Sequence, residues 1–142
     1  MGTVTTIDPQ TIQAYRETDY RVAGERPFTL HVGIQSAQLL REFDSRGVRS
    51  GAFITAFNPY SIPLGEEDNE VRDRNLLLLL KAKGYQSTPG IGVHPSNGWP
   101  GEESHMVWGI DKETALHIAA SFQQNAFIWA GEEGTPELIV SR

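Results

Sequence analysis

Seven consecutive residues constrain this chain more than any others. Gly51-Ala52-Phe53-Ile54-Thr55-Ala56-Phe57 is apolar on both alternations, and Asn58-Pro59 ends it abruptly. Successive side chains of a strand point to opposite faces, so a strand that is apolar on both must be covered on both. The expected fold therefore has a sheet with this strand near its centre and other elements packed above and below it. The chain has 142 residues. A domain of that size buries roughly two thirds of the surface its unfolded chain exposes, and needs no disulfide or structural metal to do so.

Helical signals surround the strand. Asp8 as N-cap and Pro9 at the first helical position predict a helix over Pro9–Glu17. Ser36 caps a short second helix that carries Leu39, Leu40 and Phe43 on one side, and Gly47 ends it in the left-handed conformation. A third helix, over Glu66–Ala82, opens on Glu66, Glu67 and Asp68 and closes on Lys81 and Lys83, the charge order that a helix dipole favours. The five leucines at 76–80 span more than one stripe of that helix, which predicts contacts from more than one side. Asp111 caps a fourth helix with Ala115, Ile118, Ala119 and Phe122 at helical spacing. Strands are expected at 28–34, at 104–110, and in a hairpin of 126–129 with Glu137–Val140. The stretch 88–103, rich in Gly, Pro, Asn and Ser, reads as irregular, and 1–8 as a loose tail. The resulting expectation is a single α+β domain, a mixed β-sheet of about five or six strands with three or four helices packed on it.

Charge and composition exclude several functions. Twelve Lys and Arg stand against 18 Asp and Glu, for a net charge of −6. The basic residues are scattered, so non-specific nucleic-acid binding, which needs a clustered basic surface, is disfavoured. Cysteine is absent, which removes disulfides, thiolate nucleophiles and Cys-ligated zinc. The first residues lack the basic region and apolar core of a signal peptide, and the longest apolar run is too short for a bilayer. Cytoplasmic residence without a membrane is the expectation. Gly90-Ile91-Gly92 lacks the later glycine of a dinucleotide fingerprint, and neither Gly-Lys-Ser/Thr nor Gly-x-Ser-x-Gly occurs.

Four groups of polar residues remain as candidates. Thr55, Asn58 and Ser61 lie at the carboxyl end of the central strand, where open sheets commonly bind ligands. The plainer reading is that Asn58 holds the turn before Pro59 and Ser61 starts the next helix. Gln123-Gln124-Asn125 offers amides that suit either a ligand or the carbonyls ending the fourth helix. His94 and His105 flank Glu102 and Glu103, a weak candidate for a metal site whose alternative is a set of loop residues beside a strand. Tyr15 and Tyr20 fall in a segment mixing aromatic and charged residues, and are expected to pack on the sheet.

Several of these stretches together resemble a known family. Ala14-Tyr15-Arg16-x-Thr18-x-Tyr20, Phe53-Ile54-Thr55-Ala56-x-Asn58-Pro59-x-Ser61, Lys83-Gly84-Tyr85, Glu103-Ser104 and Gln124-Asn125-Ala126 are similar to the marks of domain of unknown function family 3293. The likeness runs from roughly Ala14 to Trp129. It implies a small, stand-alone, mostly bacterial protein and brings no activity or cofactor with it. It also implies glycine at 123, where this chain has Gln123. The shared positions Thr55, Asn58, Ser61, Glu103 and Gln124 are polar and come from different elements, which implies a polar cleft walled by Tyr15 and Tyr20.

The leading expectation is thus a binding or regulatory module holding a small polar ligand or peptide on Thr55, Asn58, Ser61, Glu103 and Gln124. A small hydrolase or transferase with Glu103 as general base, helped by a metal on His94 or His105, is the alternative. A third reading is an acidic domain that docks a basic protein partner.

Overall fold

The computed structural model describes residues 6–142. Four helices and seven strands follow one another as α1 (Pro9–Glu17), β1 (Asp19–Val22), β2 (Phe28–Leu30), α2 (Ala37–Arg46), β3 (Gly51–Thr55), α3 (Glu66–Ala82), β4 (Gln86–Val93), β5 (Glu102–Trp108), α4 (Lys112–Ser121), β6 (Ala126–Ala130) and β7 (Glu137–Val140). A 3-10 turn, Pro59–Ser61, lies between β3 and α3. The domain is of the α+β class, with one sheet in the order β2-β1-β4-β5-β3-β6-β7.

Every neighbouring pair in that sheet is antiparallel, so the expected mixed sheet is corrected, and its seven strands exceed the expected number. The helical crossovers are real. Helix α3 joins β3 to β4 and α4 joins β5 to β6, and each pair of strands points the same way. An oppositely directed strand stands between the partners, β5 in the first case and β3 in the second. A crossover connection therefore produced no parallel ladder.

Strand β3 is covered on both faces, as its pattern requires. Ala52 and Ile54 join Leu76, Leu80, Val107, Ile118 and Phe127 in a core under α3 and α4. On the opposite face Phe53 packs with Tyr20, Leu39, Phe43, Met106 and Trp108, under α2. Asp8, Ser36 and Asp111 cap their helices through side-chain oxygens that accept from Gln10, Leu39 and Thr114, and Gly47 closes α2 at φ 68°. The C-terminal hairpin forms with β7 at the sheet edge.

Other expectations are revised. Leu78 remains 58% exposed, so the leucine run is buried mainly through Leu76 and Leu80 and is not enclosed all round. The segment read as irregular from residue 88 contains most of β4, paired with β1 on one side and β5 on the other. Gly90 is small because a Cβ there would meet the Arg21 carbonyl oxygen and the Phe53 ring at 2.6 Å each. Of the expected loose tail, residues 1–5 lie outside the described residues, whereas Ile7 is buried and Asp8 caps α1.

Candidate functional site

Helix α1 lies across the face of the sheet that carries Tyr20 and Phe53, and a cavity of about 310 Å³ separates them. Its apolar surface comes from Phe53, Ile128, Leu138 and the ring of Tyr20, with Ala14 on the helix side. Tyr15, Asn58, Ser61, His94, Trp99, Glu102, Gln124 and Asn125 add the polar surface.

The alternation of β5 decides which acidic residue faces this space. Ser104 lines the cavity, and Met106 and Trp108 lie in the core on the same face. Counting back by two reaches Glu102, whereas Glu103 falls in the opposite phase and is exposed outside the cavity. The general base expected at Glu103 therefore does not reach the cleft. Glu102 is the carboxylate that does. Its Oε2 accepts from Asn58 Nδ2 at 2.7 Å and from Trp99 Nε1 at 3.3 Å. Burial raises its pKa above the ordinary value, and these two hydrogen bonds oppose that rise.

Asn58 is the pivot of the polar wall. Its backbone is left-handed, with φ 49° and ψ 70°. The side-chain oxygen accepts from Leu64 N and Asn69 Nδ2, both at 2.9 Å, while Asn69 Oδ1 accepts from Asn58 N at 2.9 Å. This reciprocal pair ties the end of β3 to the second turn of α3. The expected turn role of Asn58 is present, but its bond reaches Leu64 and not a residue two positions on. Asn58 also presents Glu102 to the cleft, so the structural and site readings meet in one side chain.

Other expected residues are occupied by the fold. Thr55 Oγ1 donates to the Glu103 carbonyl at 2.7 Å and accepts from Phe57 N at 3.1 Å. Gln124 Nε2 donates to the Phe57 carbonyl at 3.0 Å and the Phe122 carbonyl at 3.3 Å, joining the end of α4 to the end of β3. Ser61 does not start α3. Its Oγ hydrogen-bonds Tyr15 Oη, and Asn125 Nδ2 donates to Tyr15 Oη at 3.0 Å and Ser61 Oγ at 3.2 Å. Tyr20 Oη donates to the Tyr15 carbonyl at 2.6 Å, and its burial pushes the phenol pKa upward. The two tyrosines thus fasten α1 over the cleft.

His94 and His105 do not meet. His94 Nδ1 accepts from Ser96 N at 3.1 Å and Asn97 N at 3.0 Å, which puts the proton on Nε2, 3.2 Å from Glu17 Oε1. That hydrogen bond is the main reason the Glu17 pKa is lowered. His105 faces away, its Nε2 2.8 Å from Asp73 Oδ1 of α3. Among the described residues no group of three His, Asp or Glu side chains is placed to hold a metal ion. Trp99 carries no sequence signal for the site, Asn125 enters only within the Gln123–Asn125 amide group, and Glu102 only as part of the metal candidate beside His94 and His105. For Glu102 the signal was present in the two-residue period of β5, but the polar pair Ser104-His105 hid which phase faces inward.

Among the described residues, four non-glycine residues have positive φ: Asn58, Tyr60, Ser61 and Gln123. They lie on two touching segments, because Tyr60 N donates to the Gln123 carbonyl at 2.7 Å. Such backbone costs on the order of 1–3 kcal/mol per residue and persists where the surroundings enforce it. Arg72 contributes to that enforcement through bonds to the carbonyls of Ala56 and Phe122 and to Gln123 Oε1.

Sheet, helices and cleft define an α+β protein with a pocket between its first helix and one antiparallel sheet. The chain belongs to the family described as Protein of unknown function (DUF3293), whose profile matches residues 54–127, just over half of the sequence. The matched stretch holds Asn58, Ser61, Glu102, Gln124 and Asn125, while Tyr15 and Tyr20 precede it. No curated protein and no solved structure matches the chain.

Proposed function

We propose that this protein is a small-molecule binding module that takes its ligand into the cleft between α1 and the sheet. The observation that carries the reading is the cavity of about 310 Å³, apolar over its sheet surface and bearing one carboxylate, Glu102, on its wall. Ligand sites combine a mostly apolar surface of roughly 300–1,000 Å³ with a few fixed polar groups. A cavity at the small end of that range suits a small organic molecule better than the peptide also expected from the sequence. Binding needs no nucleophile, and the hydroxyls of Thr55, Tyr15 and Ser61 are already engaged with protein partners.

The test is a thermal-shift screen of wild type and Ala14→Phe, which puts a ring into the cavity from its helix side. A ligand at a hundred times its Kd stabilises by about 2.7 kcal/mol. A shift of several degrees in wild type and none in Ala14→Phe supports the cleft; equal shifts in both remove it. One observation favours a second reading: a buried carboxylate of raised pKa suits a general base. Turnover of a screened compound that is lost in Glu102→Gln would favour that reading over binding alone.

A further inference from the structure

Resting on the reading of the cleft as a ligand site, we propose that its ligand is a small organic cation, an amine carried on a compact apolar body and held by Glu102. Three observations converge on this chemistry. The first is the state of the carboxylate. Glu102 Oε2 has two neutral donors, Asn58 and Trp99, but no described residue donates to Oε1, which is not sealed off from solvent, and the residue lines the cavity. A part-buried carboxylate without a cationic partner is costly to ionise, and a ligand cation offsets the cost.

The second observation is the charge of the lining. Among the described residues it contains neither Lys nor Arg. His94, the remaining lining group able to carry positive charge, spends Nδ1 on two backbone N–H groups and Nε2 on Glu17. Nothing among the described lining residues would balance a carboxylate or phosphate ligand, and Glu102 would repel one. The third is the aromatic surface. Tyr20 and Phe53 stand edge to face, with ring centroids 5.4 Å apart, and Trp99 donates to the same carboxylate. Aromatic faces beside an anion attract an organic cation through both its charge and its apolar body.

The experiment uses the full chain and three probes of one shape: benzylamine, benzyl alcohol and benzoate, titrated near neutral pH and followed by amide and indole N–H shifts in NMR spectra. The expected result is that benzylamine moves the Gly92 amide and the Trp99 indole N–H and binds at least tenfold tighter than benzyl alcohol, with benzoate weakest. Glu102→Gln should abolish the preference for the amine over the alcohol. The wild-type comparison of the three probes decides the matter even if that variant does not fold. If the alcohol or benzoate moves the same signals at equal or lower concentration, the cation proposal is overturned and the cleft stands. If no probe, and no compound of the wider screen, moves them, the cleft reading fails and the cation proposal falls with it.

Discussion

Glu102 links burial to pH in a way that one substitution isolates. In the unfolded chain it titrates near its ordinary value of 4.5, and in the fold burial raises that value. Between the two the folded state binds more protons than the unfolded, so this group's contribution to stability falls as pH rises. The penalty is absent below the unfolded value and complete above the folded one. Glu102→Gln removes it. The variant should match wild type near pH 4 and exceed it at pH 8, as read from urea midpoints; a difference independent of pH would refute burial as the cause. Gln123 supplies a second test at this scale. It occupies φ 53° where the family resemblance implies glycine, and glycine adopts that backbone without steric cost. Its side chain accepts from Arg72 at 3.2 Å and donates to the Ser121 carbonyl at 2.9 Å. Relief of about 1 kcal/mol should outweigh these partly exposed bonds. Gln123→Gly is therefore expected to raise Tm by a degree or two, measured by calorimetry.

At the scale of elements, α1 differs from the other helices. It buries none of its own side chains, whereas α2, α3 and α4 each bury two or more. Its attachment is polar: Tyr15 to Ser61 and Asn125, and Tyr20 to the Tyr15 carbonyl. Elements with few buried apolar contacts open below the global unfolding free energy. Hydrogen exchange should therefore find α1 the least protected helix. Tyr15→Phe, which removes both side-chain bonds, should lower α1 protection further, by about 1–2 kcal/mol, while α3 and β3 remain unchanged. Equal loss across all four helices would show that α1 unfolds only with the whole domain.

For the molecule as a whole, close contact between strands sets the limits. Strand β4 lies between β1 and β5, and Phe53 reaches across the sheet face to Gly90. Gly90→Ala would drive a methyl group into the Arg21 carbonyl oxygen and that ring. It should cost about 3 kcal/mol, at the upper end for overpacking, and lower the urea midpoint. A neutral effect would mean that the β1–β4 contact is looser than its distances imply. No described helix is long and apolar enough to cross a membrane.

Local signals written within a few residues were legible in the sequence. Capping by Asp8, Ser36 and Asp111, the charge order of α3, and the two-faced strand Gly51–Thr55 all depend on neighbours in the chain, and each appears in the structure. The resemblance implied one cleft of Thr55, Asn58, Ser61, Glu103 and Gln124 with Tyr15 and Tyr20; all but Glu103 line the cavity. What the local pattern could not state is which strands meet. The insertion of β5 between β3 and β4 turned an expected mixed sheet antiparallel. Pairing on both sides made a strand of the glycine-containing β4. The same pairing set the phase of β5, which turned Glu102 inward and left Glu103 exposed. Caps and amphipathic patterns act over one turn or one strand, but register is settled by contacts between residues far apart in the chain. A shift of one position exchanges the buried face for the exposed one.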